Sequence, residues 1–283
     1  MQSDSNLRSV IVTGSNQGIG YCIIDGLYSG STPYHLILTS RTLENAQKAA
    51  EEIKNKHPNS SSKITPRQLN ISDSKSTDSF VEWIKTDLKT VDVLINNAAI
   101  AKVDANVQQS LDCLNTNVFK TIEFTEKVQP YLTNDGKIIV ISSGAGLLAF
   151  QSDKARETLD DSSLTRDKVL EIAKTFYEGV KEGNKETLLS TSMGCYQSSK
   201  ALINAYSRWA LARSVKKGQQ VYVVCPGHCQ TNMGGSTAPR TAEKGAETPI
   251  YLTNLPFEVN EEIQGKFLRD KNVISWVDRI APA

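Results

Sequence analysis

A tyrosine and a lysine four residues apart, Tyr196 and Lys200, are the side chains of this sequence best suited to acid–base chemistry. Residues at positions i and i+4 share one helix face, so both side chains can converge on one reacting atom. A free phenol has a pKa of about 10 and is a poor proton donor at neutral pH. An ammonium about 4 Å away, at an effective dielectric constant of about 20, lowers that pKa by roughly three units at most. Such pairs also occur on solvated helices, so this interpretation depends on the rest of the sequence.

A glycine-rich turn near the N-terminus has the spacing of a nucleotide phosphate site. The β-branched run Ser9–Thr13 leads into Gly14, Gly18 and Gly20, and a helical pattern follows. A strand that ends in spaced glycines before a helix presents backbone N–H groups and the positive helix end to a pyrophosphate. An ordinary strand-to-helix turn is the alternative. Because strand, glycine spacing and helix all agree, the sequence favours the nucleotide site.

The end of the second predicted strand, 35–40, indicates which cofactor binds. Ser40 and Arg41 stand where an acidic residue, about 20 residues after the glycines, would bind the ribose 2′-hydroxyl of NADH. No acidic residue occurs between Tyr34 and Leu43. Because a guanidinium suits a phosphate dianion, the sequence predicts NADPH rather than NADH. A solvent-facing arginine at the start of the next helix is the alternative.

These features resemble the short-chain dehydrogenase/reductases, and specifically the NADPH-dependent carbonyl reductase branch with its monomeric animal enzymes and related plant ketone reductases. The resemblance extends from Ser9 to Trp276 and includes the segment 241–251, which is similar to one in carbonyl reductases. The motifs that carry it are Thr13-Gly14-x-x-x-Gly18-Ile19-Gly20, Asn96-Asn97-Ala98-Ala99, Asn117, Ser142-Ser143, Tyr196-x-x-x-Lys200 and Pro226-Gly227-x-x-x-Thr231.

The resemblance implies four catalytic residues. Ser143 matches the serine that hydrogen-bonds the substrate carbonyl oxygen, a role for which Ser142 is less well placed. Tyr196 matches the proton donor. Lys200 matches the lysine that lowers the tyrosine pKa and binds the nicotinamide ribose, and Asn117 matches the asparagine that supports a water-linked proton relay to that lysine.

The resemblance also implies a set of cofactor contacts. Asn97 matches a residue near the adenine-side ribose and the strand framework, and Thr231 matches a contact to the carboxamide and diphosphate. The full set expected to bind the cofactor is Gly14, Asn16, Gln17, Gly18, Ile19, Gly20, Arg41, Asn70, Ile71, Asn97, Tyr196, Lys200, Pro226, Gly227 and Thr231.

Two positions depart from the family pattern. Many NADPH-dependent members carry a second basic residue just before the middle glycine, where this sequence has Gln17, so the expected 2′-phosphate site depends almost entirely on Arg41. The aspartate that often follows the third strand and contacts adenine is replaced by Asn70. An amide still exchanges hydrogen bonds with an adenine amino group, so we expect binding to persist.

The pattern of elements predicts an α/β, Rossmann-like, doubly wound parallel sheet of six to seven strands in a single domain, 1–283. The expected strands are 9–14, 35–40, 64–70, 91–96, 137–142, 220–225 and 267–272. One segment exceeds the minimal fold: residues 151–191 form an expected helical insertion, placed over the cleft or against the helices that flank the sheet. Its apolar stripe comprises Val169, Ile172, Ala173, Phe176 and Val180.

Composition excludes several other classes. The net charge is +1, with 32 basic and 31 acidic side chains interspersed, which argues against nucleic-acid or anionic-membrane partners. No apolar run approaches the roughly 20 residues of a membrane span, and the N-terminus lacks a signal-peptide core, so we expect a cytoplasmic protein. Three unclustered histidines argue against a metal site. The odd set of cysteines fits reduced, mostly buried thiols: Cys22, Cys113, Cys195, Cys225 and Cys229.

We therefore expect hydride transfer from NADPH to a ketone, aldehyde or quinone carbonyl, with Tyr196 as proton donor. A specialised ketone reductase for one terpenoid, alkaloid or steroid is one alternative, and a redox-inactive NADPH-binding sensor or interaction protein is another. Most members of the superfamily pair through the helices that begin near Asn106 and Tyr196. We expect the insertion to cover that surface and leave a monomer, whereas a lid over the substrate in a conventional dimer is the alternative.

Overall fold

The computed structural model describes residues 7–101, 106–183 and 194–278. Within them, eight strands form one sheet in the order β3-β2-β1-β4-β5-β6-β7-β8. Neighbours from β3 to β7 are parallel, and β8 is antiparallel to β7. The strands are β1 (Arg8–Val12), β2 (Tyr34–Ser40), β3 (Lys63–Gln68), β4 (Val91–Asn96), β5 (Leu132–Ile141), β6 (Gln220–Val224), β7 (Phe267–Arg269) and β8 (Asn272–Val273).

The predicted parallel sheet is confirmed, with one correction at its edge. The expected strand 267–272 is two short strands, because Asp270 and Lys271 adopt positive φ angles of 51° and 66°. Two consecutive residues with positive φ form the tight turn that joins antiparallel strands. The chain therefore reverses after Arg269, and β8 pairs back onto β7.

Helices cover both faces of the sheet. Those on one face are α1 (Gly18–Ser29), α2 (Leu43–Lys56) and α10 (Ala242–Asn254), and they share an apolar core with β1 and β2. Helices α3 (Ser74–Trp83), α4 (Val107–Leu114), α5 (Thr121–Val128), α6 (Asp153–Leu159), α7 (Arg166–Lys181) and α8 (Gly194–Ala205) contribute to the cores of the other face. The short α9 (Ala212–Ser214) follows α8. Helical turns of the π type extend α3, α4 and α8 through 84–88, 115–120 and 206–211.

The position of the candidate site follows from the strand order. The chain winds outward in one direction through β2 and β3 and in the other through β4 to β7, so the order reverses between β1 and β4. In open parallel sheets, ligands bind beyond the carboxyl ends of the strands at such a switch point. The glycine-rich turn follows β1 at this point, and Asn97 follows β4.

The described part of the expected insertion is helical. Helix α7 packs against α4 and α8, with Val169, Ile172, Ala173 and Phe176 buried in the shared core and Val180 packed at its margin. The segment thus lies against the flanking helices, one of the two predicted placements. Its last residues, 184–191, lie outside the described residues.

Polar contacts reinforce this packing. The guanidinium of Arg166 donates to both carboxylate oxygens of Glu126, at 2.8 and 2.9 Å. The ring of Tyr177 contacts that of Phe119 edge to face, with 6.0 Å between centroids. No helix in the described ranges is long and apolar enough to cross a membrane.

Candidate active site

Tyr196 and Lys200 share one face of α8, as their spacing predicts. Tyr196 is half-buried, and Lys200 is buried with 4% of its surface exposed. The Lys200 Nζ lies 5.8 Å from the centroid of the Tyr196 ring and donates a hydrogen bond to the carbonyl oxygen of Ile141, at 3.0 Å. The ammonium is therefore held between the phenol and the last residue of β5.

Ser143 lies two residues beyond β5 and meets the phenol. Its side chain lies close enough to the hydroxyl of Tyr196 to lower the pKa of that phenol, and its Oγ accepts a hydrogen bond from the backbone N–H of Ala145, at 3.1 Å. The latter contact caps a short 3₁₀ turn, Gly144–Gly146. The structure therefore brings together Ser143, Tyr196 and Lys200, three of the four predicted catalytic side chains.

The expectation that Lys200 lowers the pKa of Tyr196 is wrong in this structure. Burial raises the pKa of Tyr196 to about 12, and the side chain of Ser143 opposes that shift only in part. Burial also lowers the pKa of Lys200 to about 8. Because desolvation disfavours the charged form of each group, the phenolate is destabilised and the lysine carries its charge less readily near neutral pH.

Asn117 lies in the π-helical turn between α4 and α5, a type of irregularity that is frequent at functional sites. Its Oδ1 accepts from the backbone N–H of Ile100, and its Nδ2 donates to the Ile100 carbonyl oxygen, each at 2.9 Å. The same Nδ2 lies 3.1 Å from the Oγ of Ser199 on α8. The side chain thus fastens the segment after β4 to α8, and the proton relay stays a prediction.

The glycine-rich turn is closely packed against the segment after β4. Gly14 has a φ of +60°, and a Cβ on Gly20 would lie 2.5 Å from the Nδ2 of Asn97. That Nδ2 donates to the carbonyl oxygens of Thr13 and Gly14, each at 2.9 Å. Asn97 therefore belongs to the strand framework, as expected, and its contact to the ribose stays a prediction.

Two threonines outside the predicted set complete this framework. The Oγ1 of Thr13 accepts from the backbone N–H groups of Asn97 and Ala98, each at 2.9 Å. The Oγ1 of Thr39 accepts from the N–H of Gly14, at 3.1 Å, and donates to the carbonyl oxygen of Val12, at 2.8 Å. A threonine near the carboxyl end of a buried parallel strand is the sequence signal for this role.

The segment after β6 forms the opposite wall. A Cβ on Gly18, whose φ is +58°, would lie 3.3 Å from the Cγ2 of Thr231. The Nδ2 of Asn232 donates to the Oε1 of Gln17, at 2.9 Å. Gln17 precedes α1 without capping it through its side chain, so the side chain leaves the first backbone N–H groups of α1 available to a ligand. This glycine-lined groove at a helix N-terminus fits a pyrophosphate.

Pro226 and Gly227 begin that wall. Gly227 has a φ of +82°, and a Cβ there would lie 2.5 Å from the Cδ of Arg240. Arg240 forms an ion pair with Asp270 in the β7–β8 turn. The backbone of Arg240 also pairs with that of Cys229, so the segment between them is a closed loop.

The predicted adenine side lies at the ends of β2 and β3. Arg41 directly follows β2, is exposed and has no ion-pair partner among the residues that the structure describes. Its backbone oxygen accepts from the Nε2 of Gln68, at 3.1 Å. Asn70 follows β3, and its Oδ1 accepts from the N–H of Ser72, at 3.2 Å, next to the buried Ile71. The guanidinium of Arg41 is thus free to bind an anion.

The remaining predicted contacts, Asn16 and Ile19, are partly buried on either side of Gln17 and Gly18.

The expectation for the cysteines agrees with the described residues. All five cysteines are free, and three are buried: Cys113, Cys225 and Cys229. Burial raises the pKa of the Cys113 thiol to about 11 and that of Cys225 above its usual value. Within the described ranges, no three metal-ligating side chains converge.

Comparison with known proteins identifies the relatives of this chain. The family model for short chain dehydrogenases matches residues 8–155, more than half of the chain. Carbonyl reductase 3 of Homo sapiens, whose name specifies NADPH, is 32% identical, and the alignment covers 95% of this chain and 98% of the relative. Carbonyl reductase 1 of Sus scrofa, also named for NADPH, is 29% identical, with 96% and 95% covered.

A solved structure of another reductase also matches this chain over nearly its full length. Salutaridine reductase from Papaver somniferum superimposes with a TM-score of 0.81 at 28% identity, and the match covers 93% of this chain and 99% of that one. The matched family model, the relatives that span nearly its full length and the arrangement of Ser143, Tyr196 and Lys200 agree. The chain belongs to the short-chain dehydrogenase/reductase family.

Proposed function

We propose that this protein is an NADPH-dependent carbonyl reductase that converts ketones, aldehydes or quinones to the corresponding alcohols or hydroquinones. The observation that carries the proposal is the convergence of Ser143 and Tyr196, with the Lys200 ammonium one helical turn from the phenol and bonded to the last residue of β5. A serine and a phenol that converge in this way provide two donors for one carbonyl oxygen. The names of the human and porcine relatives agree with this chemistry.

The protein is an oxidoreductase, and NADPH is its cofactor. When bound, NADPH supplies the hydride for the substrate carbonyl carbon. The N-terminus of α1 and the glycine turn would hold the pyrophosphate, and Arg41 would bind the 2′-phosphate. Its exposed position at the end of β2, without a competing ion pair among the described residues, supports this role.

Side chains of this protein would stabilise the substrate carbonyl oxygen and supply its proton. Ser143 and Tyr196 hydrogen-bond the carbonyl oxygen as negative charge develops there, and Tyr196 transfers its phenolic proton to that oxygen. The charge of Lys200 then stabilises the resulting phenolate. The raised pKa of Tyr196 keeps the phenol protonated throughout the neutral range, which suits a proton donor in the direction of reduction.

A reductase specialised for one terpenoid, alkaloid or steroid ketone is the second candidate. The superposition on salutaridine reductase, a plant enzyme named for a single substrate, favours this alternative. Substrate choice would depend on residues 144–150 and 232–240, which border the Ser143–Tyr196 pair and the groove.

The test is a kinetic screen of NADPH oxidation. Menadione, isatin and 9,10-phenanthrenequinone represent broad carbonyl substrates, and a panel of terpenoid, alkaloid and steroid ketones represents the specialised ones. Turnover of the first group supports a general carbonyl reductase, and turnover confined to one member of the panel supports the second candidate. NADPH binding without turnover of any carbonyl would instead indicate a redox-inactive binding protein.

The proposal extends to assembly and location. Helix α7 occupies surfaces of α4 and α8, the helices through which family members are expected to pair, so we propose a monomer with small-molecule substrates as its partners. Three buried free thiols fit a reducing compartment, so we propose a cytoplasmic location. Fractionation of cells that express the protein would test the location.

A further inference from the structure

Helix α8 contacts the segment around the end of β5 at three points that recur at one-turn intervals. Tyr196 lies beside the side chain of Ser143, which lowers the pKa of the phenol, and Lys200 donates to the carbonyl oxygen of Ile141. One turn further along, the Nδ2 of Asn204 donates to the carbonyl oxygen of Gly146, at 3.1 Å. Positions i, i+4 and i+8 share one helix face, so all three contacts lie on the same stripe.

Gly146 ends the 3₁₀ turn that begins after Ser143. Its N–H donates to the Ser143 carbonyl oxygen, at 3.0 Å. A Cβ on Gly146 would lie 2.5 Å from the carbonyl carbon of Lys200 and 2.8 Å from the N–H nitrogen of Ala201. The backbone of this turn therefore rests directly on the backbone of α8, and any shift of Gly146 along the helix also shifts Ser143.

Asn204 is fully buried in an apolar part of the core, between Ile203 and Ala205. Its Oδ1 has no hydrogen-bond partner among the described residues. A buried amide with an unsatisfied oxygen costs stability relative to an apolar residue of the same size. Stability alone therefore does not account for an asparagine here, and the one side-chain hydrogen bond that it makes among the described residues is to the turn that follows Ser143.

We propose that Asn204 is a positioning residue for the reduction. By holding Gly146, it fixes the 3₁₀ turn and so sets where the hydroxyl of Ser143 lies relative to that of Tyr196. This inference rests on the proposed roles of Ser143 and Tyr196. A displacement of about 1 Å of a catalytic group reduces turnover by about 100-fold, so a contact that holds such a group affects the rate without touching substrate.

The test is Asn204→Leu, which removes the donor while nearly preserving volume. We expect kcat for carbonyl reduction to fall about 10- to 100-fold, with KM for NADPH changed less than twofold, because the cofactor groove lies on other elements. Ser207→Ala is the matched control: Ser207 is equally buried, lies three residues further along and has no hydrogen-bond partner for its Oγ among the described residues. We expect the control to keep the parent kcat.

A double-mutant cycle separates positioning from general destabilisation. If Asn204 acts through Ser143, then Asn204→Leu adds less than threefold to the loss already caused by Ser143→Ala. An equal loss in both backgrounds would show a structural role and would overturn the proposal. So would a kcat for Asn204→Leu that matches the Ser207→Ala control.

Two further variants keep the test decisive. If Asn204→Leu does not fold, Asn204→Ala, which also removes the donor and adds no buried charge, takes its place in the same cycle. Tyr196→Phe separates a failure of the proposed active site from a failure of the positioning role alone. If that variant retains turnover, the proposed site is wrong, whereas an inactive Tyr196→Phe beside a fully active Asn204 variant refutes only the positioning role.

Discussion

The ammonium of Lys200 donates to the carbonyl oxygen of Ile141, at 3.0 Å, although the two residues are 59 positions apart in the sequence. This contact joins α8 to the end of β5, two residues before Ser143. It also leaves the lysine almost completely buried, with desolvation as the main cause of its lowered pKa of about 8. The charge of Lys200 is therefore sensitive to pH within the range in which enzymes are assayed.

We predict that carbonyl reduction loses activity as the pH rises through about 8. Below this value Lys200 is charged and Tyr196 is protonated. Above it Lys200 loses its proton, while the phenol, with a pKa of about 12, stays protonated. The value of kcat/KM for NADPH between pH 6 and 10 reports groups of the free enzyme. A profile that is flat or rises with pH would contradict this assignment, and Lys200→Met should lack the alkaline limb.

Tyr196→Phe should reduce turnover by about 100-fold or more, because the hydroxyl supplies the proton to the developing alkoxide. The affinity for NADPH, measured by fluorescence titration, should change little, since the phenol ring keeps its packing. Ser207→Ala, on the same helix but away from the site, serves again as the control. Turnover within threefold of the parent would refute the role of Tyr196.

Arg41→Ala should remove a preference for NADPH over NADH. A charge-assisted contact to the 2′-phosphate contributes roughly 1.5–3 kcal/mol, which corresponds to about a ten- to hundredfold change in KM for NADPH. The KM for NADH should not change. Lys48→Ala removes an exposed cation from α2 and should leave both constants unaltered. Equal use of both cofactors by the parent protein would show that Arg41 has been misassigned.

Gln17→Lys should strengthen NADPH binding by about two- to fivefold, since one exposed charge pair contributes roughly 0.2–1 kcal/mol. The substitution adds a cation at the N-terminus of α1, and it also removes the amide contact to Asn232. Gln17→Leu removes that contact without adding charge and isolates the electrostatic part. Comparison of dissociation constants at low and high salt completes the test, because the gain should shrink as ionic strength rises. Equal affinities for the lysine and leucine variants at low salt would refute an electrostatic contribution at this position.

Sedimentation equilibrium at micromolar concentration should give the mass of one chain, 31.1 kDa. Helix α7 buries Val169, Ile172, Ala173 and Phe176 against the surface that a partner subunit would otherwise need. A mass near twice that of the chain would mean that the dimer forms despite α7, and would favour a lid role for this segment.

The sequence was sufficient to predict those features of the fold and the site that local patterns determine. Alternating apolar runs identified the parallel strands, and the i, i+4 spacing placed Tyr196 and Lys200 on one face. The predicted lowering of the Tyr196 pKa was wrong, because the spacing of two residues shows how near a charge lies but not how deeply both groups are buried. The β7–β8 turn was missed because Asp270 and Lys271 adopt positive φ without a glycine to signal it. The contact of Asn204 could not be predicted from the sequence, because its partner Gly146 is brought to it only by packing of the turn on α8.

The ion pair between Arg240 and Asp270 ties the outer edge of the sheet to the loop that borders the groove. Because Arg240 also pairs with the backbone of Cys229, both ends of the loop 229–240 are fastened to the framework, whereas Met233 at its tip is exposed. Substitutions at the tip therefore leave the anchored ends of this loop in place. If residues 232–240 select the substrate as proposed, substitutions at the tip would change which carbonyl compounds are reduced and leave the glycine-lined groove unaltered.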